Sequence, residues 1–399
     1  MAKASTLLRQ QGAAGIFFNP GLLEWAMGLS RALSILLIAS CAHAPRPLTP
    51  AELPALITQL SEAGELPGVA VLVQSPEGPL FQYQQGVRAQ GHSEAVMPLE
   101  RWHLASVTKP MTALLVGLFI DQGRLRWDTP LHELYPTKAL HPEVRAVTIE
   151  QLLSHTAGVA DVREHDQRAT WRWLRQGDPR ARTKRDTLVE RLLAAPPRFP
   201  AGARQEYSNA GYVILGHILE GLEGTAWEEL LTQRILAPLG MRSCGFGAPG
   251  VHGESTPSAP WGHQLLGERL VALAPGPLAD NPWAFGPAGT LHCALADVVK
   301  FYQLLLAAEG QQLVTSETWH KLMSATRPGL PLARSSLRLL EREWAQGPVQ
   351  LMTGSNTLNL MTVLLAPRRR RVYLVATNAA TVKAREALSE ILNLLTRLE

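Results

Sequence analysis

The alternation of apolar and polar positions divides the chain into an early β-rich stretch, a long helix-and-loop middle and a late β-rich stretch. Leu53, Leu56, Ile57 and Leu60 recur at helical spacing, and Thr49-Pro50 ahead of them predicts an N-cap followed by proline at the first helical position. Residues 69–73 and 80–84 flank Ser75-Pro76-Glu77-Gly78, the pattern of a β-hairpin. Further on, Met111, Leu114, Leu115, Leu118 and Phe119 leave almost no polar face, so this helix belongs in the middle of the core. Pro110 is tolerated only in a first helical turn. The helix should therefore begin close to Ser106 and end near Gly123.

The middle is less regular. Thr148-Ile149-Glu150-Gln151 is a capping box opening a helix that stops at Gly158. Its tail, His155-Thr156-Ala157-Gly158, reads as a helix-terminating turn, with a catalytic role as the alternative. Residues 187–194 and 210–222 form two more amphipathic helices, the second with Val213, Ile214, Ile218 and Leu222 on its core face. Residues 245–287 are rich in Gly and Pro and read as long loops over a site; helix returns at 294–308. Strands then follow at 349–353, 358–365 and 372–378, and a last helix at 384–398. The cluster from Arg368 to Arg371 falls between two apolar runs, as a solvated hairpin turn would. Early and late strands share one sheet only if the middle is an insertion. The predicted fold class is α+β: an antiparallel sheet flanked by helices, built from N- and C-terminal segments, with a mostly helical lobe inserted at roughly 125–285. A ligand is expected in the cleft between the two.

Residues 1–45 read differently. A basic residue at Arg31, a short apolar run over 32–38 and small residues before Cys41 form an export signal too short to span a bilayer. Ile38-Ala39-Ser40-Cys41 resembles a bacterial lipobox, which makes Cys41 a candidate lipid anchor. Ala42-His43-Ala44 offers ordinary signal cleavage instead, and a buried N-terminal helix is the non-targeting reading. Met27 is the expected true start. The domain proper, 46–399, is then exported to the periplasm, free or tethered as a lipoprotein.

At 399 residues and 46% hydrophobic content, the chain can bury one large core or two modest ones. A net charge of +4, spread as scattered arginines, argues against nucleic acid as a partner. With Cys41 assigned to the signal, Cys244 and Cys293 remain, either as partners or as two free thiols. Neither the spacing of cysteines nor any other pattern suggests a metal. Oligomeric state is not legible.

The candidate chemistry starts at Ser106-Val107-Thr108-Lys109. At i and i+3 the hydroxyl and the amine share one helical face, the layout of a nucleophilic serine with an adjacent base. The helix N-terminus there favours negative charge building up beside the serine. Alone, Ser-x-x-Lys arises easily by chance in a chain of this length. Two further stretches support it. Glu206-Tyr207-Ser208-Asn209 lies before a helix, and in an extended segment Tyr207 and Asn209 face the same side. Met352-Thr353-Gly354-Ser355-Asn356-Thr357 closes a strand, where glycine admits a close backbone approach.

On these motifs, with Phe199-Pro200-Ala201-Gly202 before Tyr207 and Gly286-Pro287-Ala288-Gly289-Thr290 before a helix, the chain resembles the serine β-lactamase and penicillin-binding protein superfamily, in its class C-like branch. That branch includes β-lactamases, D,D-peptidases, D-aminopeptidases and esterases. The resemblance implies a β-lactamase/transpeptidase-like fold and a serine hydrolase without cofactor. It casts Ser106 as the nucleophile that forms an acyl-enzyme, and Lys109 with Tyr207 as base and proton relay. Asn209 would steady Lys109 and hold a substrate amide. The N–H groups of Ser106 and Ser355 would form an oxyanion hole, with Met352, Thr353 and Gly354 completing the substrate strand. For Lys109 to act as a base its pKa must fall, which burial can achieve.

One position departs from the pattern. The family usually carries lysine or histidine where this sequence has Met352, and a thioether replaces neither. Efficient hydrolysis of penicillins and cephalosporins is therefore not expected: β-lactamase activity should be weak at best, and Met352→His should raise it. Ester, amide or D-amino peptide-type substrates, small molecules or peptides, become the expectation. His263 or His292 could stand in for the missing cation, although a lone histidine is more often structural. The competing reading is a catalytically impaired protein that binds or senses cell-wall fragments.

Overall fold

The computed structural model describes residues 46–161, 167–176, 182–307 and 313–399. The predicted export signal, with Met27 and Cys41, lies outside them. The chain divides into two units at Arg46, and the description below concerns the second, Pro47–Glu399.

Its frame is a six-stranded antiparallel sheet. The strands in chain order are β1 (Gly68–Ser75), β2 (Gly78–Gly86), β3 (Arg101–His103), β4 (Gly245–Phe246), β5 (His263–Leu266), β6 (Arg269–Ala272), β7 (Leu291–Ala294), β8 (Arg338–Arg342), β9 (Gly347–Ser355), β10 (Leu360–Ala366) and β11 (Arg371–Thr377). The large sheet runs β2-β1-β11-β10-β9-β8, so the first hairpin pairs with the last strand, Val69 opposite Thr377. Early and late β segments do share a sheet. The sharp turn between β10 and β11 is the arginine cluster, with Arg370 at φ +53°.

Period-two alternation sends successive side chains to opposite faces, and here both faces are covered. Val71, Val73, Leu360, Leu364, Tyr373 and Val375 pack against the terminal helices Leu53–Ala63 and Val382–Thr396. Ala70, Leu72, Met361, Val363, Leu365 and Leu374 face the main core, where the helix Leu295–Leu306 lies against β1, β10 and β11; Met111, Leu114 and Leu115 of the central helix belong to the same core. Each fully buried Leu, Ile or Val contributes about 1.5–3 kcal/mol. Burial on both faces explains why these strands read as continuous apolar runs.

The central helix spans Lys109–Asp121, and ten of its thirteen residues are buried. A 3-10 turn, Ala105–Thr108, leads into it, and Gly123 beyond its end adopts φ +69°. The first helix starts later than its sequence suggests, at Leu53, with Glu52 rather than Thr49 at the N-cap position. A start at Pro50 would set the ring of Pro54 against the carbonyl four residues back. Thr49 instead closes a turn through its N–H and hydroxyl on the Glu52 carboxylate (both 2.9 Å).

In the helical middle, the Thr148/Gln151 capping box is present, but its helix ends at Leu153 rather than Gly158. The stretch predicted as long loops contains short strands: β4 joins a three-stranded sheet, β3-β7-β4, and β5 pairs with β6. Strands of two to four residues are too brief for alternation to register. Cys244, just before β4, is disulfide-bonded to Cys293 in β7, so the pair is not two free thiols. Among the described residues no helix is long and apolar enough to cross a membrane.

Candidate active site

Ser106 lies in the 3-10 turn that opens the central helix. Such a turn stacks residues i and i+3 directly over one another, and Lys109 Nζ comes to 3.0 Å from Ser106 Oγ. Lys109 is fully buried. Its Nζ donates to Asn209 Oδ1 (2.8 Å) and to the carbonyl of Ala288 (2.7 Å). With two N–H groups so engaged, a third position on nitrogen faces the serine oxygen. A neutral amine would turn its lone pair there; an ammonium would donate there.

The second partner of Lys109 depends on a tightly wedged loop. Gly286–Gly289 forms one helical turn between the central helix and the helix Asn209–Glu223. Thr112 Oγ1 donates to Pro287 O at 2.8 Å, and a Cβ at Gly216 would come within 2.1 Å of Pro287 Cγ. Packing this close aims the next carbonyl, Ala288 O, at the lysine.

Tyr207 and Asn209 also meet at Lys109, though not along an extended strand. Ser208 is the N-cap, accepting from the N–H of Gly211, and Asn209 is the first helical residue. The ring centroid of Tyr207 lies 4.8 Å from Lys109 Nζ, and the ring is 40% exposed, open to solvent on the cleft side. Behind it His155 stacks at 4.6 Å. His155 Nδ1 accepts from the N–H of Ser208 (3.1 Å), which leaves Nε2–H for Ser336 Oγ at 2.5 Å. Burial, with the charge of Lys109 second, lowers its pKa to about 3, so the ring is neutral at neutral pH. The stretch His155–Gly158 is thus a turn, with His155 at φ +60° and Gly158 at φ +69°. It supports the tyrosine from behind. Beside it Gly158, Val159, Asp161, Phe199, Glu206 and Tyr207 line a small concavity.

The closing strand passes directly behind the serine. A Cβ at Gly354 would lie 2.3 Å from Leu104 O and 2.8 Å from the backbone nitrogens of Ser106 and Val107, so only glycine permits this approach. The pairing of β8 with β9 ends at Leu351, while β10 pairs on to Ser355. Residues 352–355 therefore have a strand partner on one side only, among the described strands. Thr353 is exposed, its hydroxyl 3.1 Å from that of Thr362 across the β10 pairing. Met352 points to the same side as Gly354 and is buried in the apolar core, where it offers no polar group.

Both histidines considered as stand-ins are buried and hydrogen-bonded to backbone groups. His263 Nε2 accepts from Gln90 N–H (2.9 Å), so its Nδ1–H faces Asn378 O (2.7 Å). His292 Nδ1 lies 2.9 Å from Gly247 O. Burial lowers both to about 4. A cation does stand at the strand end: Arg385, on the last helix, donates from Nη2 to Ser355 Oγ at 3.2 Å. Sequence patterns gave no hint of it, because Arg385 and Ser355 are joined only by the helix crossing the sheet. The role of Ala288 O has no sequence pattern for the same reason, although the motif containing it is visible, and His155 is legible only as part of a turn or, in the alternative, as a catalytic group.

Comparison with known proteins identifies relatives of this chain. The chain is 33% identical to Penicillin-binding protein 4 of Amycolatopsis lactamdurans over 249 residues, 60% of each protein, so it spans less than two thirds of that relative. It is 29% identical to Esterase EstB of Burkholderia gladioli over 213 residues, 49% of this chain and 51% of the esterase. The structure of D-amino acid amidase from Ochrobactrum anthropi SV3, complexed with D-phenylalanine, superposes with a TM-score of 0.67 at 18% identity, covering 86% of this chain and 99% of the amidase; at that identity it speaks for the fold alone. These relatives are hydrolases or penicillin-binding proteins of one fold. The Beta-lactamase family model matches residues 53–393, and the chain belongs to that family.

Proposed function

We propose that this protein is a serine hydrolase that works through an acyl-enzyme on Ser106. The observation that carries the reading is a fully buried Lys109 whose Nζ lies 3.0 Å from Ser106 Oγ while it also donates to Asn209 and to the carbonyl of Ala288. In the first half-reaction Ser106 Oγ attacks a carbonyl carbon and its proton passes to Lys109 Nζ. Collapse of the tetrahedral adduct breaks the bond to the leaving group, which takes the proton back by way of Tyr207. Water then repeats the sequence on the acyl-enzyme and frees the acid. The backbone N–H groups of Ser106 and Ser355 are the oxyanion donors in this scheme; one such donor is worth about 10²–10³ in rate.

The substrates we assign are esters, amides or D-amino peptide-type bonds, with weak β-lactamase activity at best. The buried thioether of Met352 supports that choice, since it stands where the family usually carries a lysine or histidine. Arg385 keeps one positive charge at the far end of the strand, suited to a substrate carboxylate set further from the reacting bond. Export is supported by the Cys244–Cys293 disulfide, since such bonds persist in oxidising compartments. The apolar Met352 also favours a second reading, a non-hydrolysing binder of cell-wall fragments.

Fluorophosphonate labelling of wild type and Ser106→Ala, followed by turnover of p-nitrophenyl esters, D-amino-acid amides and nitrocefin, separates these. A folded wild type with no adduct on Ser106 would overturn the hydrolase reading in favour of the binder. Nitrocefin turnover matching authentic class C enzymes would overturn the assignment away from lactams.

A further inference from the structure

Ala105, immediately before Ser106, adopts φ +47°, a left-handed conformation that alanine rarely takes. Its N–H donates to His103 Nδ1 at 3.0 Å. His103 has no exposed side-chain surface. Because Nδ1 accepts, the ring proton sits on Nε2, and Nε2 lies 2.6 Å from Asp280 Oδ1. The same carboxylate oxygen accepts from the N–H of Asn281 (2.6 Å) and from Asn356 Nδ2 (3.2 Å). Asn281 Nδ2 in turn donates to Gly289 O at 2.8 Å. Gly289 abuts the strained residue: a Cβ there would lie 2.7 Å from the carbonyl carbon of Ala105.

Asp280 thus ties together three segments that are distant in the chain: the turn before the serine through His103, the loop after Ala288 through Asn281, and the end of β9 through Asn356. These carry the nucleophile, the lysine's acceptor and the second oxyanion donor. We propose that His103 and Asp280 form a positioning pair that holds Ala105 in its left-handed turn and so sets Ser106 against Lys109 and β9. An apolar residue at 103 would leave the Ala105 N–H without its acceptor, and the turn would relax toward the ordinary region. This inference rests on Ser106 being the nucleophile.

The test compares His103→Leu, which fills the space but accepts nothing, with His103→Asn, whose amide oxygen falls near the Nδ1 position. Hydrolysis of p-nitrophenyl butyrate gives kcat and KM; circular dichroism and thermal melting report folding. Misplacing a reacting group by about 1 Å costs about 10² in rate, so His103→Leu should lose about that in kcat with KM within about threefold. His103→Asn should keep kcat within about tenfold of wild type, since it preserves the hydrogen bond. Adding Ala105→Gly to His103→Leu should recover about tenfold, because glycine takes the left-handed turn without penalty. A purely structural role predicts no such recovery.

Folded His103→Leu at wild-type kcat would overturn the proposal, as would equal losses in both variants with no gain from Ala105→Gly. Should His103→Leu not fold, Asp280→Asn decides: lowered kcat at unchanged KM supports the pair, and wild-type kcat overturns it. Fluorophosphonate labelling of wild type and Ser106→Ala tests the nucleophile separately, so failure of the functional reading is recognised independently.

Discussion

Gly354→Ala is the substitution for which the structure sets the sharpest expectation. The new methyl would lie 2.3 Å from Leu104 O and 2.8 Å from the nitrogens of Ser106 and Val107. An ordinary carbon–oxygen contact begins at about 3.3 Å, so β9 and the serine turn must separate by about 1 Å. All three atoms are backbone, and no side-chain rotation relieves the contact. Overpacking of this kind costs about 1–3 kcal/mol of stability, which a domain this size tolerates. The larger effect is expected on catalysis, since the shift parts the proposed oxyanion donors, the N–H groups of Ser106 and Ser355, from each other and Lys109 from β9, the proposed substrate strand. A displacement of about 1 Å is worth about 10² in rate, or about 2.7 kcal/mol in the barrier. The assay is kcat and KM on p-nitrophenyl butyrate, with thermal melting in parallel. Gly221→Ala is the control: a Cβ there meets nothing within 4 Å, so this helical position should be neutral or slightly stabilised. Gly354→Ala retaining wild-type kcat within threefold would refute the claim that the distance between β9 and Ser106 governs the reaction.

Three other expectations follow from single contacts. Arg385→Ala should raise KM about tenfold for substrates carrying a carboxylate and leave neutral esters unchanged, the scale of one charge-assisted hydrogen bond; equal effects on both classes would remove Arg385 from substrate binding. Burial holds His155 at about 3 and His217, His263 and His292 at about 4, below the ordinary 6.5 of the unfolded chain. The unfolded state therefore binds more protons between those values, so stability is complete above about pH 6.5 and declines as pH falls, by up to about 1.4 kcal/mol per unit for each histidine. Thermal melts at pH 7.5, 6.5, 5.5 and 5.0 check this, and a flat profile would contradict it. Loss of the Cys244–Cys293 bond, which closes a separation of 49 residues, should cost about 2–5 kcal/mol; Cys244→Ser melting at the wild-type temperature would show that the bond contributes nothing.

What the sequence determined by itself is what depends on near neighbours. Continuous apolar runs specified β1, β10 and β11, an all-round apolar face specified the central helix, and Pro110 and Gly123 marked where it begins and ends. The capping box at Thr148 and the hairpin turn at the arginine cluster were legible because a few consecutive residues determine them. Ser106 and Lys109 meet for the same reason, being one turn apart. Where a local rule misled, another residue nearby outweighed it, as Pro54 outweighs Pro50 at the start of the first helix.

The tertiary structure decided everything that requires distant segments to touch. Asn209 reaches Lys109 across 100 residues and Ala288 O across 179, and neither contact has a spacing that a pattern can carry. The pairing of Cys244 with Cys293 follows from β4 lying beside β7, two strands too short to announce themselves. Met352 is apolar in the sequence, but only the fold shows it buried in the main core, and only the crossing of the last helix brings Arg385 to the strand end. His103 reads as a lone histidine beside a motif. Its meaning comes from Ala105, whose left-handed turn no neighbouring residue demands, and from Asp280, which lies far along the chain and arrives only when the fold closes.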